Sequence, residues 1–166
     1  MIDENEKNLL QTYALLSRAA ARKKIYSLKA LKEDKPRTAH LLRALSESEA
    51  AQARRVLYMI RGRIDPSESY IATIFEKEIA EILERYTEEI NNAKAAGLTS
   101  VANALTQLYD AERKLSIFYA PDSQDTSVEA DERYFVCQFC GYVGRSHAPD
   151  NCPVCGAKKE TFLEIQ

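Results

Sequence analysis

The sequence predicts a mainly α-helical protein, a four-helix bundle followed by a small metal-binding β domain. Three observations lead to this prediction. The part before Ala120 is rich in alanine, leucine, glutamate, lysine and arginine and contains few glycines, which is a helical composition. Glycines and prolines divide that part into four segments. All four cysteines lie in the last thirty or so of the 166 residues.

Each helical segment has its own start and stop signals. Pro36 fits the first turn of the second segment, and Gly62 and Gly97 are expected to end the second and third. Thr99 or Ser100 is expected to cap the fourth. The predicted segments are Glu4–Lys32, Pro36–Arg61, 66–95 and 99–119.

The stretch after the helices is polar and acidic and has little to bury, so it predicts a solvated linker. The expected division is therefore a helical bundle over 1–120, an acidic linker over 121–133 and a four-cysteine domain over 134–166.

Charge and hydropathy exclude several classes of function. The net charge is −2, which gives no electrostatic case for binding nucleic acid or an anionic membrane. No apolar run approaches the length of a membrane span. The polar N-terminus does not resemble an export signal, so we expect a reducing cytoplasm and free thiols.

The four cysteines form two pairs, Cys137-x-x-Cys140 and Cys152-x-x-Cys155, and a glycine follows each pair. Four thiolates at one point select iron or zinc in a tetrahedral site. The glycines permit turns in which backbone N–H groups point at sulfur. A disulfide framework or a thioredoxin-type redox pair fits the context less well. Spacing alone does not distinguish iron from zinc.

Carboxylates interrupt the apolar stripes of the predicted helices. Glu49 and Gln52 in the second helix and Glu112 in the fourth lie where a bundle core is expected, and Glu81 and Glu84 lie one turn apart in the third. Burial of an ionised carboxylate without a partner costs several kcal/mol, so something must compensate. Inward glutamates on several helices are typical of carboxylate-bridged di-iron bundles.

With these motifs the chain resembles the rubrerythrin family. The cysteine segments resemble the two rubredoxin knuckles, and the stretches beginning at Glu49, Glu81 and Glu112 resemble the ligand segments of the family's bundle. The resemblance implies a ferritin-like four-helix bundle followed by a rubredoxin-like domain, and it favours iron over zinc. It also implies reduction of hydrogen peroxide at a di-iron site, with electrons entering through the rubredoxin iron.

Three positions depart from the family pattern. Leu16 stands where the first helix should carry a glutamate, and Gln52 and Leu115 stand in place of two histidines. The remaining candidates for a degenerate bundle site are Glu49, Gln52, Glu81, Glu84 and Glu112. We expect the di-iron site to be lost, with a single hard ion on the four carboxylates as an alternative. Arg18 or Arg22, or protonation of Glu49 or Glu112, is expected to neutralise the cluster.

The sequence thus favours electron transfer or metal binding through Cys137, Cys140, Cys152 and Cys155, with a redox partner protein. A rubrerythrin-type peroxidase and a zinc-stabilised interaction module are the alternative hypotheses.

The short connection between the second and third segments predicts a dimer. Five or six extended residues reach about 20 Å, whereas a helix of about 25 residues is roughly 37 Å long. The chain therefore cannot return along its own bundle. We expect a domain-swapped homodimer, with an up-down-up-down monomer as the alternative.

Overall fold

The computed structural model describes residues 4–61, 75–118 and 133–165, which include four α-helices and a three-stranded sheet. The chain divides into two compact units, Met1–Asp65 and Pro66–Gln166. The predicted helical start at 66–74 and the predicted linker, apart from Arg133, lie outside the described residues.

The first unit is a hairpin of α1, Glu4–Lys32, and α2, Pro36–Arg61, which have the predicted bounds. Their facing stripes follow the 3-4 spacing of packed helices. Small residues at the centre permit close approach, and the hydroxyl of Ser46 donates a hydrogen bond to the carbonyl of Ala20 at 2.8 Å. The least exposed residues of the two stripes are Ala20, Ser27, Ala30, Ala39, Ser46 and Ala53.

The turn of this hairpin uses a left-handed residue to end α1. Asp34 has φ 56°, and the N–H of Lys35 donates to the carbonyl of Ala30 at 2.9 Å. Such a bond caps free carbonyls at a helix C-terminus. Pro36 then begins α2 in the first-turn position that the sequence predicted.

Replacement of Ser46 by alanine should destabilise the hairpin by about 1 kcal/mol, because the Ser46 side chain is buried and its hydrogen bond crosses between the helices. Urea unfolding followed by helical circular dichroism measures this loss. Ser48→Ala is the matched control because Ser48 is exposed on the same helix. Equal effects of the two substitutions would contradict the assigned role of Ser46.

The second unit begins with a hairpin of α3, Phe75–Ala95, and α4, Thr99–Leu115, and a 3₁₀ turn Ser116–Phe118 follows. Gly97 has φ 70° and ends α3 as predicted, and the N–H of Leu98 donates to the carbonyl of Ala93 at 2.9 Å. The predicted cap of α4 was wrong. Leu98 holds the cap position without a side-chain hydrogen bond, because this tight turn leaves one residue before the helix.

Three short antiparallel strands follow, namely β1, Tyr134–Cys137, β2, Val143–Arg145, and β3, Phe162–Ile165. β1 lies at the centre, with Phe135 opposite both Gly144 of β2 and Glu164 of β3. The first cysteine ends the central strand, so the sheet fixes one side of the cysteine cluster.

The sheet domain packs against the end of α4 within the second unit. Ala111 is 3% exposed and belongs to the same buried cluster as Cys137, Cys140 and Cys152. The Arg145 guanidinium lies 4.5 Å from the centre of the Phe118 ring, a distance typical of cation–π contacts. No helix in the described part of the chain is long and apolar enough to cross a membrane.

Candidate metal centre

Two similar turns present the four cysteines. In each, the N–H of the glycine after the second cysteine donates to the carbonyl of the first cysteine at 2.9 Å. Gly141 and Gly156 have φ values of 83° and 74°, which L side chains rarely adopt. The predicted need for glycine after each pair is therefore confirmed at both turns.

The four thiols converge on one point. Their Sγ atoms all lie within 4.8 Å of one another. The Sγ atoms of Cys137 and Cys155 are 3.7 Å apart, and those of Cys140 and Cys152 are 3.6 Å apart. Metal–sulfur bonds of about 2.3 Å give tetrahedral edges of about 3.8 Å. These contacts are far longer than a disulfide bond, and the thiols are free.

Burial and backbone donors set the charge state of this cluster. Burial raises the pKa of the Cys140 and Cys155 thiols, although N–H groups of Tyr142 and Ala157 point at their sulfurs. Burial also raises the pKa of Cys152, but the N–H groups of Cys155 and Val154, together with the Cys140 and Cys155 thiols, outweigh this effect, and the pKa is lowered. Such donors stabilise thiolate and tune a bound metal. The cluster therefore has the surroundings of a metal site.

Access to the cluster is uneven. Cys137, Cys140 and Cys152 are 1 to 5% exposed, whereas Cys155 is half-buried. Phe139, in the first cysteine turn, is 67% exposed. The cluster is therefore more open to solvent at Cys155 than at its other cysteines.

Ala111→Leu should weaken the packing of the sheet domain on α4 by about 1 to 3 kcal/mol, because the larger side chain has no room in the buried cluster. Metal binding should persist, since no thiol is lost. Amide NMR shifts of residues 133–165 and thermal unfolding measure the effect. Ala104→Leu, at an exposed position of α4, is the control and should leave both measurements unchanged.

In the first unit, Glu49, one of the predicted metal ligands of the bundle, forms an ion pair with a lysine. Lys23 Nζ lies 2.5 Å from Glu49 Oε1, and both side chains are largely buried, at 29% and 23% exposed. The other oxygen, Oε2, is buried and has no hydrogen-bond partner among the described residues. The neutralising cation is thus Lys23 rather than Arg18 or Arg22, both of which are exposed.

Three other predicted bundle candidates lie on exposed helix faces. Gln52 is exposed, and its amide lies 3.4 Å from the Ser48 hydroxyl. Glu81 is 67% exposed and lies 4.0 Å from the Lys77 ammonium, and Glu84 is also exposed.

Glu112 is half-buried on α4, as its place in the apolar stripe predicted. Burial raises the pKa of its carboxyl, and the negative charge of Glu78 adds to the increase. Burial and the charge of Glu112 likewise raise the pKa of Tyr86. The α3 carboxylate that acts on Glu112 is therefore Glu78. Within either unit, the described residues bring no further group of three or more acidic, histidine or cysteine ligands together.

Sequence reasoning missed Lys23 and Glu78, although the signals for both were present. Lys23 follows Leu16 by seven residues, so both lie on one face of α1. Glu78 lies one position before Ile79, a buried residue of α3, whereas Glu81 lies on the opposite side of the helix from Ile79. An assignment of every α3 residue to the inward or the outward face would have distinguished Glu78 from Glu81.

Part of the chain is similar to proteins of known family. Residues 135–163 match the family model described as rubrerythrin, rubredoxin-like domain. Nigerythrin from Nitratidesulfovibrio vulgaris is 27% identical over 85 residues, which is 51% of this chain. The match spans 42% of the length of that relative.

Solved structures of nigerythrin have a similar fold. Those of its mixed-valence, partially reduced and fully reduced, all-ferrous states each align with a TM-score of 0.52 and 20% identity. The alignments cover 99% of this chain and 88% of the nigerythrin chain. The predicted class, a ferritin-like four-helix bundle followed by a small rubredoxin-like metal-binding β domain, is confirmed.

Proposed function

Since the chain is a rubrerythrin-family protein with a four-helix bundle and a C-terminal rubredoxin-like domain, we propose that it carries single electrons at an iron ion held by its four cysteines. The observation that supports this most directly is the convergence of four free thiols with Sγ–Sγ distances of 3.6 and 3.7 Å. When bound, iron supplies a one-electron couple in such a site.

The residues around the thiols suit this role. Backbone N–H groups of Tyr142, Val154, Cys155 and Ala157 point at the sulfurs. They stabilise the negative charge that reduction increases, without any side chain having to move. Tyr142 and Phe162, with ring centres 6.4 Å apart, pack beside the cysteines and keep water away.

Iron is favoured over zinc by the family and by the structural neighbour. Nigerythrin is named as all-ferrous in its fully reduced state, so that protein holds iron. The cysteine-glycine turns here resemble the rubredoxin knuckles. A zinc-stabilised interaction module is the competing proposal, because zinc binds the same four thiolates.

We further propose that the peroxide-reducing iron pair of the bundle is lost. Leu16 and Leu115 have no metal-binding atom, Gln52 is exposed, and Lys23 binds Glu49. The bundle residues therefore do not fit a di-iron centre. Peroxidase chemistry in this family depends on two adjacent irons, so electron transfer without peroxidase activity fits these residues better.

Two assays on the iron-loaded full chain test this proposal. A redox titration followed by visible absorption should show reversible one-electron bleaching of a thiolate–iron band. Turnover of hydrogen peroxide with a reduced donor should not exceed that of a Glu49→Gln/Glu112→Gln variant. Peroxide turnover well above that variant would instead support the peroxidase alternative, and failure to load iron would support the zinc module.

The expected redox partner is a protein that contacts the cluster at Cys155. This cysteine is the half-buried one, and the exposed ring of Phe139 provides an apolar contact in the other cysteine turn. Electron transfer to a partner requires such a close approach to one ligand sulfur.

We also propose that the chain forms a homodimer that exchanges helix pairs. Within its own unit, the α1–α2 hairpin leaves many large apolar side chains uncovered, and such a surface is typical of a protein interface. A second copy would cover them. Sedimentation at micromolar concentration should give the mass of two chains, whereas a monomer would refute this proposal. The exposed apolar residues of the hairpin include Leu15, Ile25, Leu28, Leu31, Leu41 and Met59.

A further inference from the structure

We propose that the Lys23 ammonium group neutralises Glu49 in the α1–α2 hairpin and takes the place of a metal ion there. The inference builds on the proposed loss of the bundle iron pair. It concerns the helices alone, so its failure would leave the proposal for the four cysteines intact.

The position of Lys23 supports this replacement. Leu16, Ala20, Lys23 and Ser27 follow one another at 4-3-4 spacing, so all four lie on the face of α1 that packs on α2. A long side chain on a helix points back toward the N-terminus. The Lys23 side chain is therefore directed along α1 toward Leu16, the position where the family pattern expects a carboxylate.

The position of Glu49 on α2 completes the pair. Ser46, Glu49 and Ala53 lie on the face that packs on α1, and Ser46 already contacts α1 through the carbonyl of Ala20. Glu49 is therefore directed toward α1, where the Lys23 ammonium meets one of its oxygens at 2.5 Å. This contact provides the compensation that an inward carboxylate requires.

The same contact opposes metal binding. A divalent ion on the buried Oε2 atom, at a bond length of about 2.1 Å, would lie roughly 5 Å from the Lys23 ammonium. Two positive charges at that distance, with both side chains mostly shielded from water, repel each other strongly. The side chain at position 16 is leucine and offers no second carboxylate to offset this repulsion. Glu49 is thus already neutralised by the chain itself.

The test uses the full chain with its cysteine site filled by zinc, so that added Mn²⁺ reports only on the helices. Lys23→Met should lower the folded-to-unfolded ratio about tenfold, because the Glu49 carboxylate loses its partner. Lys23→Met/Glu49→Gln should recover most of this loss, because no unpaired charge remains. Lys29→Met is the control, since Lys29 pairs with Glu33 at 3.9 Å on an exposed part of the same helix.

Millimolar Mn²⁺ should not change the melting temperature of the chain that carries no substitution. The proposal is overturned if Mn²⁺ raises that temperature and Glu49→Gln abolishes the rise. It is also overturned if Lys23→Met is no more harmful than Lys29→Met. If Lys23→Met does not fold, the double variant decides, because a folded double variant supports the pairing and an unfolded one refutes it.

Discussion

Cys152→Ser should abolish metal binding and unfold the C-terminal sheet domain, while the helices remain folded. Cys152 is 4% exposed, its Sγ lies 3.6 Å from that of Cys140, and its N–H donates to the carbonyl of Ala157 at 2.7 Å. Structural metal binding contributes about 10 kcal/mol or more in small domains, which a sheet of eleven strand residues cannot replace from its own core. Metal content, amide NMR and limited proteolysis measure the loss.

The matched control for this change is Gln138→Ser. Gln138 lies in the first cysteine turn, and its side chain is exposed. Its backbone N–H, which donates to the carbonyl of Thr161 at 3.1 Å, is retained in the variant. This variant should bind metal normally. A Cys152→Ser domain that stays folded without metal would show that packing, and not the metal, holds residues 134–165 together.

Metal affinity should fall steeply as pH falls. Burial raises the pKa of the Cys140 and Cys155 thiols in the metal-free chain, so both are protonated at neutral pH. The metal binds thiolate, so each of these protons must leave, and binding is favoured as pH rises. These two protons alone give a loss of affinity of at least about a hundredfold for each pH unit of acidification.

Competition with a chelator of known pH dependence, from about pH 8 down to about pH 6, measures this slope. Zinc is a convenient probe because it has no redox chemistry. An affinity that stays constant over this range would mean that the thiols are already ionised in the free chain. That result would contradict the dominant influence of burial at Cys140 and Cys155.

The sequence predicted the cysteine centre well because its geometry is local. Each pair and its glycine form one turn, so spacing alone indicates where the sulfurs point. The bounds of α1 and α2 were also predictable, since Pro36 and the helical composition act within a few residues. Local chemistry therefore accounts for most of the fold and for all four cysteines of the candidate centre.

The surroundings of the inward carboxylates were less predictable because they depend on helix rotation. One position along a helix changes the facing direction by about 100°, so Glu78 lies about 100° from the buried Ile79, whereas Glu81 lies about 160° from it. The Lys23–Glu49 pair joins residues 26 positions apart, so the contact itself depends on the packing of α1 on α2, although the spacing from Leu16 places Lys23 on the same face of α1. The packing of Ala111 against the cysteine cluster is likewise a tertiary contact with no sequence signal.

The most direct test of the proposed function is the iron content per chain of protein produced with iron supplied, together with its visible spectrum. We expect about one iron per chain, with thiolate-to-iron charge-transfer bands that a reductant bleaches and air restores. About three irons per chain would mean that the helices hold an iron pair after all, and would contradict the proposed loss of the bundle site. One zinc and no iron would contradict the electron-transfer role itself.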